Sequence, residues 1–403
     1  MSDRQDRVLV VGAGLGGIRT VEQLRRAGYT GQISLVGAEA HLPYDRPPLS
    51  KQLLAGAWQA GELMFKDGDA LAELGVRLYL GQPAIALRPG EVELADGSVL
   101  TADTIVLATG IKARRLPRQP DNVHELRTLD NALALREALA KAATLLVIGA
   151  GFIGAEVAST AIDKGVRVTM IEAAPVPMLR GLGVELGALA ARLLREGGVD
   201  LRTGVALTGF VEAAGEGVAV ELADGSRIEA DLALAGIGGQ PNVDWLAGTG
   251  LDLATGISCD AQGRVLGLEN VWAVGDVSAW DYPEQGGRHR HEHWTSTTDQ
   301  AAIVARAIMG GDAPPVAIPY FWSDQFGIKI QMIGRPDRAD AILPLHGDGL
   351  SGGAIKGTVV GYLRGDRLVA VAGFGTARYI ARYRGLLLKE TSRLQALEVA
   401  ALM

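Results

Sequence analysis

Two glycine-rich segments have the residue types and spacing that bind a dinucleotide. The first is Gly12–Gly17 (GAGLGG), after the apolar run Val8–Val11, and the second is Gly149–Gly154 (GAGFIG), after Leu145–Ile148. In each segment the first glycine permits a tight turn, the second lets the backbone approach a pyrophosphate, and the last lets a helix pack closely on a strand. The start of the following helix offers N–H groups and a positive dipole to phosphates.

Both segments open a repeated strand–turn–helix–strand unit that ends in an acid. Glu39 follows the first glycine of its segment by 27 residues, and Glu172 follows the first glycine of the other by 23. An acid at this place accepts hydrogen bonds from the ribose of a bound dinucleotide. A single glycine motif is common in unrelated turns, but two copies in this context predict two βαβ dinucleotide-binding units.

Further apolar runs and turns predict the elements beside these units. Residues 103–110 and 231–238 are apolar runs ended by glycine, as expected of buried parallel strands. Asp-Gly dipeptides at 96–97 and 224–225 lie between short strand-like runs, so each half of the chain should contain a hairpin. Residues 130–140 predict a helix capped by their first residue, an aspartate.

The C-terminal quarter has a different pattern. After residues 311–315 (GDAPP), alternating strand-like runs such as 328–333 and 358–362 replace the glycine-rich units, and residues 378–401 predict one closing helix. The sequence therefore predicts an α/β protein with two Rossmann-like dinucleotide-binding domains and a separate C-terminal α+β domain.

Composition and charge limit the class of protein. The 403 residues are 48% hydrophobic and 21% charged, which is typical of a folded protein of two or three domains. The net charge of −7 argues against a nucleic-acid binder, and no apolar run reaches the length of a membrane span. Residues 313–403 carry 11 basic and 7 acidic side chains, a net charge of +4, which fits either an acidic partner or an ordinary solvated surface. We expect a soluble, cytoplasmic protein.

Cysteine and histidine restrict the available chemistry. Cys259 is the only cysteine, so an intrachain disulfide, a CxxC redox pair and a thiolate zinc cage are excluded. His289, His291 and His293 alternate at a spacing that could bind a metal. Arginines are interleaved and no further ligands are evident, so we predict no metal site.

The combination of motifs resembles one known family. The two fingerprints occur together with residues 42–51 (LPYDRPPLSK), 108–110 (ATG), 272–276 (WAVGD) and 321–325 (FWSDQ). Over essentially the whole chain, this set resembles the FAD-dependent, NADH-linked ferredoxin reductases of bacterial oxygenase systems. The resemblance implies a glutathione-reductase-like fold, FAD on the first fingerprint and NADH on the second.

The resemblance also implies three domains. The FAD-binding domain would comprise residues 1–113 and 236–312, the NAD-binding domain residues 114–235, and the C-terminal α+β domain residues 313–403. The residues implied for cofactor binding are Gly12, Gly14, Gly16, Gly17, Ala38, Glu39, Arg46, Lys51, Ala84, Ala108, Thr109, Gly110, Arg127, Gly149, Gly151, Phe152, Ile153, Gly154, Glu172, Gly238, Gly275, Asp276 and Trp294.

Specific roles at the flavin follow from the same resemblance. Glu39 would bind the adenosine ribose and Asp276 the ribityl chain, while Arg127 would contact the flavin. Lys51 would lie beside the isoalloxazine, where a cation stabilises the anionic reduced ring. Trp294 would pack at the ring and donate its indole N–H. Without the resemblance, Asp276 could equally be a helix cap and Trp294 a core residue, each with a purely structural role.

Two acids are implied at the nicotinamide cofactor. Glu172 would bind the 2′- and 3′-hydroxyls and repel a 2′-phosphate, and residues 173–175 contain no arginine, so NADH is preferred over NADPH. Glu156 would lie near the nicotinamide; alternatively it is a helix N-terminal acid favoured by the dipole. Lys51, Glu156 and Trp294 are the expected catalytic residues.

The electron acceptor is expected to be an external carrier. Related flavoenzymes pass electrons to a dithiol or a cysteine soon after the first βαβ unit, but residues 40–60 contain no cysteine. The resemblance names the acceptor as a small acidic [2Fe–2S] ferredoxin in a transient complex, with the reductase a monomer or weak homodimer. Alternatives are rubredoxin, a quinone or ascorbyl radical as acceptor, or a redox-responsive protein resembling apoptosis-inducing factor.

The basic residues of the C-terminal region have two possible roles. They could form a solvated face or contribute to a ferredoxin dock. They are Lys329, Arg335, Arg338, Arg378, Arg382, Arg384, Lys389 and Arg393.

Overall fold

The computed structural model describes residues 6–283, 286–312, 318–389 and 391–402. The chain divides into two compact units. The first comprises Met1–Asp45, Gly61–Lys112 and Gln240–Pro319, and the second comprises Arg46–Ala60, Ala113–Gly239 and Tyr320–Met403. The expected domain boundary at residue 313 lies outside the described residues.

A five-stranded parallel sheet forms the centre of the first unit. Its strands, in sheet order, are Val271–Ala273, Thr104–Leu107, Arg7–Val11, Gln32–Gly37 and Val76–Leu80. The other strands of this unit are Ala84–Arg88, Glu91–Leu94, Val99–Thr101, Ile257–Cys259, Ser278–Tyr282 and Gly287–His289. Its helices are Leu15–Arg26, Gly68–Glu73 and Trp294–Ile308, with short 3₁₀ helices at Asp244–Thr249 and Gly275–Val277. The division between the units falls within the strands Ile111–Ala113 and Gly239–Pro241 and the 3₁₀ helix Ala60–Leu63.

The second unit contains a second parallel sheet and a separate antiparallel one. The parallel strands, in sheet order, are Asp200–Thr203, Arg167–Glu172, Thr144–Ile148, Leu232–Ala235 and Val123–His124. The five-stranded antiparallel sheet has the order Tyr320–Gln325, Ile328–Gly334, Arg367–Phe374, Val359–Arg364 and Ala341–His346. A smaller antiparallel sheet joins Leu207–Val211, Val218–Leu222 and Arg227–Ala230.

The second unit also contains six α-helices among its described residues. They are Gln52–Ala55, Leu129–Leu139, Phe152–Asp163, Leu179–Glu196, Ala377–Leu387 and Arg393–Ala401, with 3₁₀ helices at Pro47–Ser50, Pro336–Arg338 and Gly349–Ser351. In the described ranges of both units, no helix has the length and apolar character to cross a lipid bilayer.

The predicted repeat is present in both units. In each, a buried strand leads through a glycine turn into a 12-residue helix and on to a second parallel strand. Both Asp-Gly hairpins form, with Gly97 at φ +84° and Gly225 at φ +81°. Their left-handed backbone explains why glycine ends each turn.

Two predicted helix boundaries are wrong. Asp130 is not the cap of its helix: Thr128 precedes it, and the Thr128 hydroxyl accepts a hydrogen bond from the Asn131 N–H (3.1 Å) while the Asn131 side chain accepts one from the Thr128 N–H (3.1 Å). This reciprocal capping box satisfies two N–H groups that a cap at Asp130 would not.

The single closing helix is instead two helices. The first ends at Leu387, where the Thr391 hydroxyl donates to the carbonyl of Leu386 (2.7 Å). The second begins after Ser392, whose hydroxyl accepts from the Gln395 N–H (3.3 Å). Local side-chain hydrogen bonds of Thr and Ser compete with a continuous helix and end it here.

The turn at Gly12 fixes the geometry of the first fingerprint. Gly12 has φ +118°, and a Cβ on it would lie 2.2 Å from the carbonyl oxygen of Ala108. A Cβ on Gly17 would lie 1.9 Å from the carbonyl oxygen of Gly12. Both positions therefore require glycine for steric reasons, independently of any ligand.

We expect Gly12→Ala to lower the free energy of unfolding by more than about 2 kcal/mol, because it combines a disfavoured φ with a backbone clash. Gly97→Ala is the matched control, since Gly97 has φ +84° but no atom within 4 Å of its added Cβ; about 1 kcal/mol is expected there. Urea unfolding measures both changes. Equal losses would contradict the assignment of a close approach at Gly12.

Candidate functional site

The helices of both fingerprints start without a side-chain cap. Leu15–Arg26 begins at Gly14 and Phe152–Asp163 at Gly151, and neither has an acidic residue in its first turn. The helix Leu129–Leu139, by contrast, is capped by a side chain. First-turn N–H groups lack intrahelical partners, so each fingerprint presents donors and a positive dipole end suited to a phosphate.

The acids that follow the second strands are held in fixed orientations. Glu39 is half-buried, and its carboxylate accepts a 2.6 Å hydrogen bond from the hydroxyl of Tyr44. The Glu172 carboxylate accepts from the backbone N–H of Ala150 through Oε2 and of Ala174 through Oε1, both at 2.8 Å. Ala150 belongs to the second fingerprint, so the turn itself orients the acid beside it.

The segment at Gly275 and Asp276 forms a rigid turn in the first unit. Gly275 has φ +77°, and its N–H donates to Oε1 of Gln300 (2.7 Å), a side chain that is 2% exposed. Asp276 lies within the 3₁₀ helix that starts there, and the residue before that helix is Val274. Asp276 is therefore not a helix cap, and its half-buried carboxylate belongs to the turn.

Trp294 opens the helix Trp294–Ile308 and is half-buried rather than a core residue. Its indole N–H donates to Oδ1 of Asp45 (2.9 Å). The guanidinium of Arg19 lies 5.7 Å from the indole ring centre and 4.9 Å from that of Phe65. The ring is thus held by a hydrogen bond at its edge and by a cation near its π system.

Lys51 and Glu156 form a buried ion pair in the second unit. The Lys51 ammonium lies 2.9 Å from Oε1 of Glu156, whose side chain is 3% exposed. Glu156 is in the second turn of its helix, and no acid lies in the first turn, so the reading of Glu156 as a helix N-terminal acid is wrong. A carboxylate this deeply buried requires the cation and further donors.

Other predicted residues occupy loops and strand ends. Arg46 donates from Nη1 to the carbonyl of Arg127 (2.5 Å), so these two lie together in the second unit. In the first unit, the Thr109 hydroxyl donates to the carbonyl of Asn242 (2.9 Å). Ala38 is exposed, Ala84 begins a strand, and residues 108–110 follow Thr104–Leu107. Gly238 has φ +94° and an open surrounding at its Cβ position.

Several site residues are absent from the sequence predictions. Tyr44 and Ser50 lie within the segment 42–51, so that motif carried a signal for them, as FWSDQ did for Ser323. Gln300 and Asn242 lie in no recognisable pattern, and only the fold brings them to their partners.

The rings of the three alternating histidines lie next to one another. The centroids of His289 and His291 lie 6.4 Å apart and those of His291 and His293 lie 5.9 Å apart. His291 also stacks on Tyr282, with ring centres 4.9 Å apart. Across the described residues, no group of three His, Cys, Asp or Glu side chains is arranged to hold a metal ion.

The only cysteine is buried and unreactive. Cys259 is 0% exposed on the strand Ile257–Cys259, and burial raises the pKa of its thiol to about 12. The thiolate is the redox-active form, so this residue is unsuited to disulfide chemistry at neutral pH.

The basic residues of the C-terminal helices are exposed but do not share one helix. Arg378, Arg382 and Arg384 lie on Ala377–Leu387, and Arg393 begins the next helix.

The sequence matches two protein families along its length. Residues 6–301 match the pyridine nucleotide-disulphide oxidoreductases, and residues 320–401 match the reductase C-terminal domain. The chain belongs to the pyridine nucleotide-disulphide oxidoreductase family. The predicted family, its oxidoreductase class and its cofactors FAD and NADH are thereby confirmed at the level of the family.

Curated relatives of this oxidoreductase include two redoxin reductases and a reductase component of a dioxygenase system. Rhodocoxin reductase from Rhodococcus erythropolis is 36% identical over 338 residues, covering 83% of this chain and 79% of the relative. Putidaredoxin reductase from Pseudomonas putida is 35% identical over 382 residues, covering 91% and 88%. The ferredoxin–NAD(+) reductase component of the p-cumate 2,3-dioxygenase system from Pseudomonas putida is 35% identical, covering 86% and 85%.

Solved structures agree with the predicted fold class. The reductase chain of a covalent putidaredoxin reductase–putidaredoxin complex superimposes with a TM-score of 0.90 at 34% identity, covering 96% of this chain and 93% of that one. The prediction of two Rossmann-like domains with a C-terminal α+β domain is therefore confirmed as a fold class.

We expect the Cys259 thiol of this oxidoreductase to react with a disulfide reagent at pH 8 at least ~1000-fold more slowly than in the urea-unfolded chain, because its thiolate fraction is so small. Cys259→Ala should leave NADH oxidation unchanged. A variant that retains its flavin but loses electron transfer would show that the thiol takes part.

Proposed function

We propose that this chain transfers electrons from NADH through FAD to a [2Fe–2S] ferredoxin that supplies a haem-thiolate monooxygenase or a Rieske dioxygenase. The observation that carries the proposal is the joint presence of two fingerprint helices that begin without a side-chain cap or a first-turn acid, and of a single, inert cysteine. The relatives named for ferredoxin partners support the same acceptor. The single cysteine also fits the cytoplasmic location that we include in the proposal.

The first unit is proposed to hold FAD. Its fingerprint helix presents N–H groups to the pyrophosphate, and Glu39, fixed by Tyr44, accepts from the adenosine ribose. Asp276, in the turn held by Gln300, accepts from the ribityl chain. The close backbone approach at Gly12 leaves no side chain between the turn and a phosphate.

Trp294 and Lys51 are proposed to act at the flavin ring, with Arg46 and Arg127 as binding residues. The Trp294 N–H is already donated to Asp45, so we assign the packing of its ring, rather than its N–H, to the cofactor. Lys51 supplies a positive charge that favours the reduced, anionic ring. When bound, FAD accepts a hydride from NADH and releases electrons one at a time.

The second fingerprint is proposed to bind NADH. Gly149, Gly151 and Gly154 form the turn, and Glu172 accepts from the ribose hydroxyls with the carboxylate orientation that the turn fixes. Phe152 and Ile153 begin the helix at this site. The negative charge of Glu172 repels the 2′-phosphate of NADPH.

We also propose that the chain folds into the three domains named above. The second unit contains both a parallel and an antiparallel sheet, in sequence ranges that the two family matches separate between residues 301 and 320. The exposed arginines of Ala377–Leu387 are candidates for contact with an acidic ferredoxin.

We expect Glu172→Gln to lower kcat/KM for NADH about 10-fold or more, because charge-assisted bonds to the ribose are lost, and to reduce discrimination against NADPH. Glu216→Ala, an exposed acid in the same unit, is the control. Steady-state oxidation of NADH and of NADPH gives kcat/KM for each cofactor. If the unmodified protein already uses NADPH as well as NADH, the assignment of Glu172 is wrong.

The acceptor is tested by stopped-flow mixing of the NADH-reduced protein with purified carriers. We expect an acidic [2Fe–2S] ferredoxin to be reduced in multiple turnovers, more slowly at high salt because encounter is steered by charge. Faster reduction of rubredoxin than of any [2Fe–2S] ferredoxin would overturn this choice. A long-lived NAD complex with poor turnover would instead favour a redox-responsive protein.

A further inference from the structure

The Glu156 carboxylate is surrounded unequally by hydrogen-bond donors. Its Oε1 accepts from the Lys51 ammonium (2.9 Å), the Ser323 hydroxyl (2.6 Å) and the Asp324 N–H (3.2 Å). Among the described residues, its Oε2 accepts from the Ser50 hydroxyl alone (2.5 Å). All five residues belong to the second unit. Three donors thus converge on Oε1, which accepts a hydrogen bond from each of them.

The direction of the Ser323 bond is fixed by a residue behind it. Nε2 of Gln325 lies 2.9 Å from Oγ of Ser323 and 3.8 Å from the sulfur of Met178, and both of these atoms accept from an amide NH₂. Ser323 has one proton, and its 2.6 Å hydrogen bond to Oε1 uses that proton. Ser323 therefore accepts from Gln325 and donates to Glu156. Both side chains are at most 1% exposed.

The Lys51 ammonium lies closer to Glu156 than to Asp324. Asp324 is the other acid near Lys51, at 3.8 Å, but Oδ1 of Asp324 is 2.6 Å from the ammonium of Lys329. Ser50 is anchored to the same helix as Glu156, because its carbonyl accepts from the hydroxyl of Thr160 (2.9 Å).

We propose that Ser323 and Gln325, from the C-terminal antiparallel sheet, are positioning residues that keep the Glu156 carboxylate aligned on Lys51. This inference rests on the proposed function, in which Lys51 supplies the positive charge at the flavin. The relay Gln325–Ser323–Glu156 fixes the orientation in which Oε1 accepts from the Lys51 ammonium.

The test compares Ser323→Ala with Ser159→Ala. Ser159 is a matched control, because it is a similarly buried serine on the Glu156 helix whose hydroxyl accepts from the Phe326 N–H (2.9 Å) and does not contact Glu156. Without the hydrogen bond from Ser323 the carboxylate is held less firmly, so the rate constant of flavin reduction at saturating NADH should fall about 10-fold in Ser323→Ala, with the apparent Kd for NADH unchanged. Both values should stay unchanged in Ser159→Ala. Ser323→Thr, which restores the hydroxyl, should return the rate constant toward that of the parent.

Two readouts are measured on the holoprotein. One is the rate constant of flavin reduction by NADH in a single turnover. The other is the infrared carboxylate stretching band in the absence of NADH, assigned to Glu156 by its loss in Glu156→Gln. Both should change in Ser323→Ala, because the band responds to the loss of a hydrogen bond. Gln325→Met keeps the volume but removes the donor, and should change both in the same direction by less.

The outcomes separate this inference from the function on which it rests. If the parent reduces its flavin with NADH and neither the rate constant nor the infrared band changes in Ser323→Ala or Gln325→Met, the relay is wrong. If the parent does not react with NADH, the proposed function fails while the infrared band still tests the relay. Equal changes in Ser159→Ala and Ser323→Ala would mean a general loosening of the region and would also overturn the proposal.

Discussion

The close approach of two backbone segments at each fingerprint turn is the constraint on which both units depend. At Gly12 an added Cβ would lie 2.2 Å from the Ala108 carbonyl oxygen, and at Gly149 it would lie 2.7 Å from that of Gly236. In each unit the partner is the end of the neighbouring parallel strand. The turn, the helix start and the strand end are thus fixed together, so an uncapped helix N-terminus is held open at the carboxyl edge of the sheet, where ligands bind in such folds.

The cost of buried charge shapes the second unit in a different way. An isolated carboxylate with the burial of Glu156 would be unstable, so the fold must bring donors to it from separate parts of the chain. The segment ending at Ser50 and Lys51 supplies two, and the strand Tyr320–Gln325 supplies two more. This requirement gives the FWSDQ and PLSK motifs a common physical reason. Their polar residues converge on one acid of the fingerprint helix.

Local sequence signals predicted the repeated elements well because each signal acts over a few residues. Glycine turns, apolar strands and Asp-Gly hairpins are decided by backbone sterics and burial within a short window, and both copies formed as predicted. The wrong boundaries arose where side chains compete for backbone groups. Thr128 with Asn131, and Thr391 with Ser392, ended or started helices that composition alone placed differently.

Site residues far apart in sequence could be predicted only where a motif marked them. Glu172 follows its fingerprint at a known spacing, but no local pattern links Gln300 to Gly275 or Gln325 to Glu156. These glutamines act through the direction of their hydrogen bonds. An amide group has separate donor and acceptor ends, so it can set the direction in which a neighbouring hydroxyl donates its proton. The spacing of residues in a motif does not predict that direction. The hydrogen bonds at Gly275 and at Ser323 therefore depend on buried amides that only the folded chain brings into place.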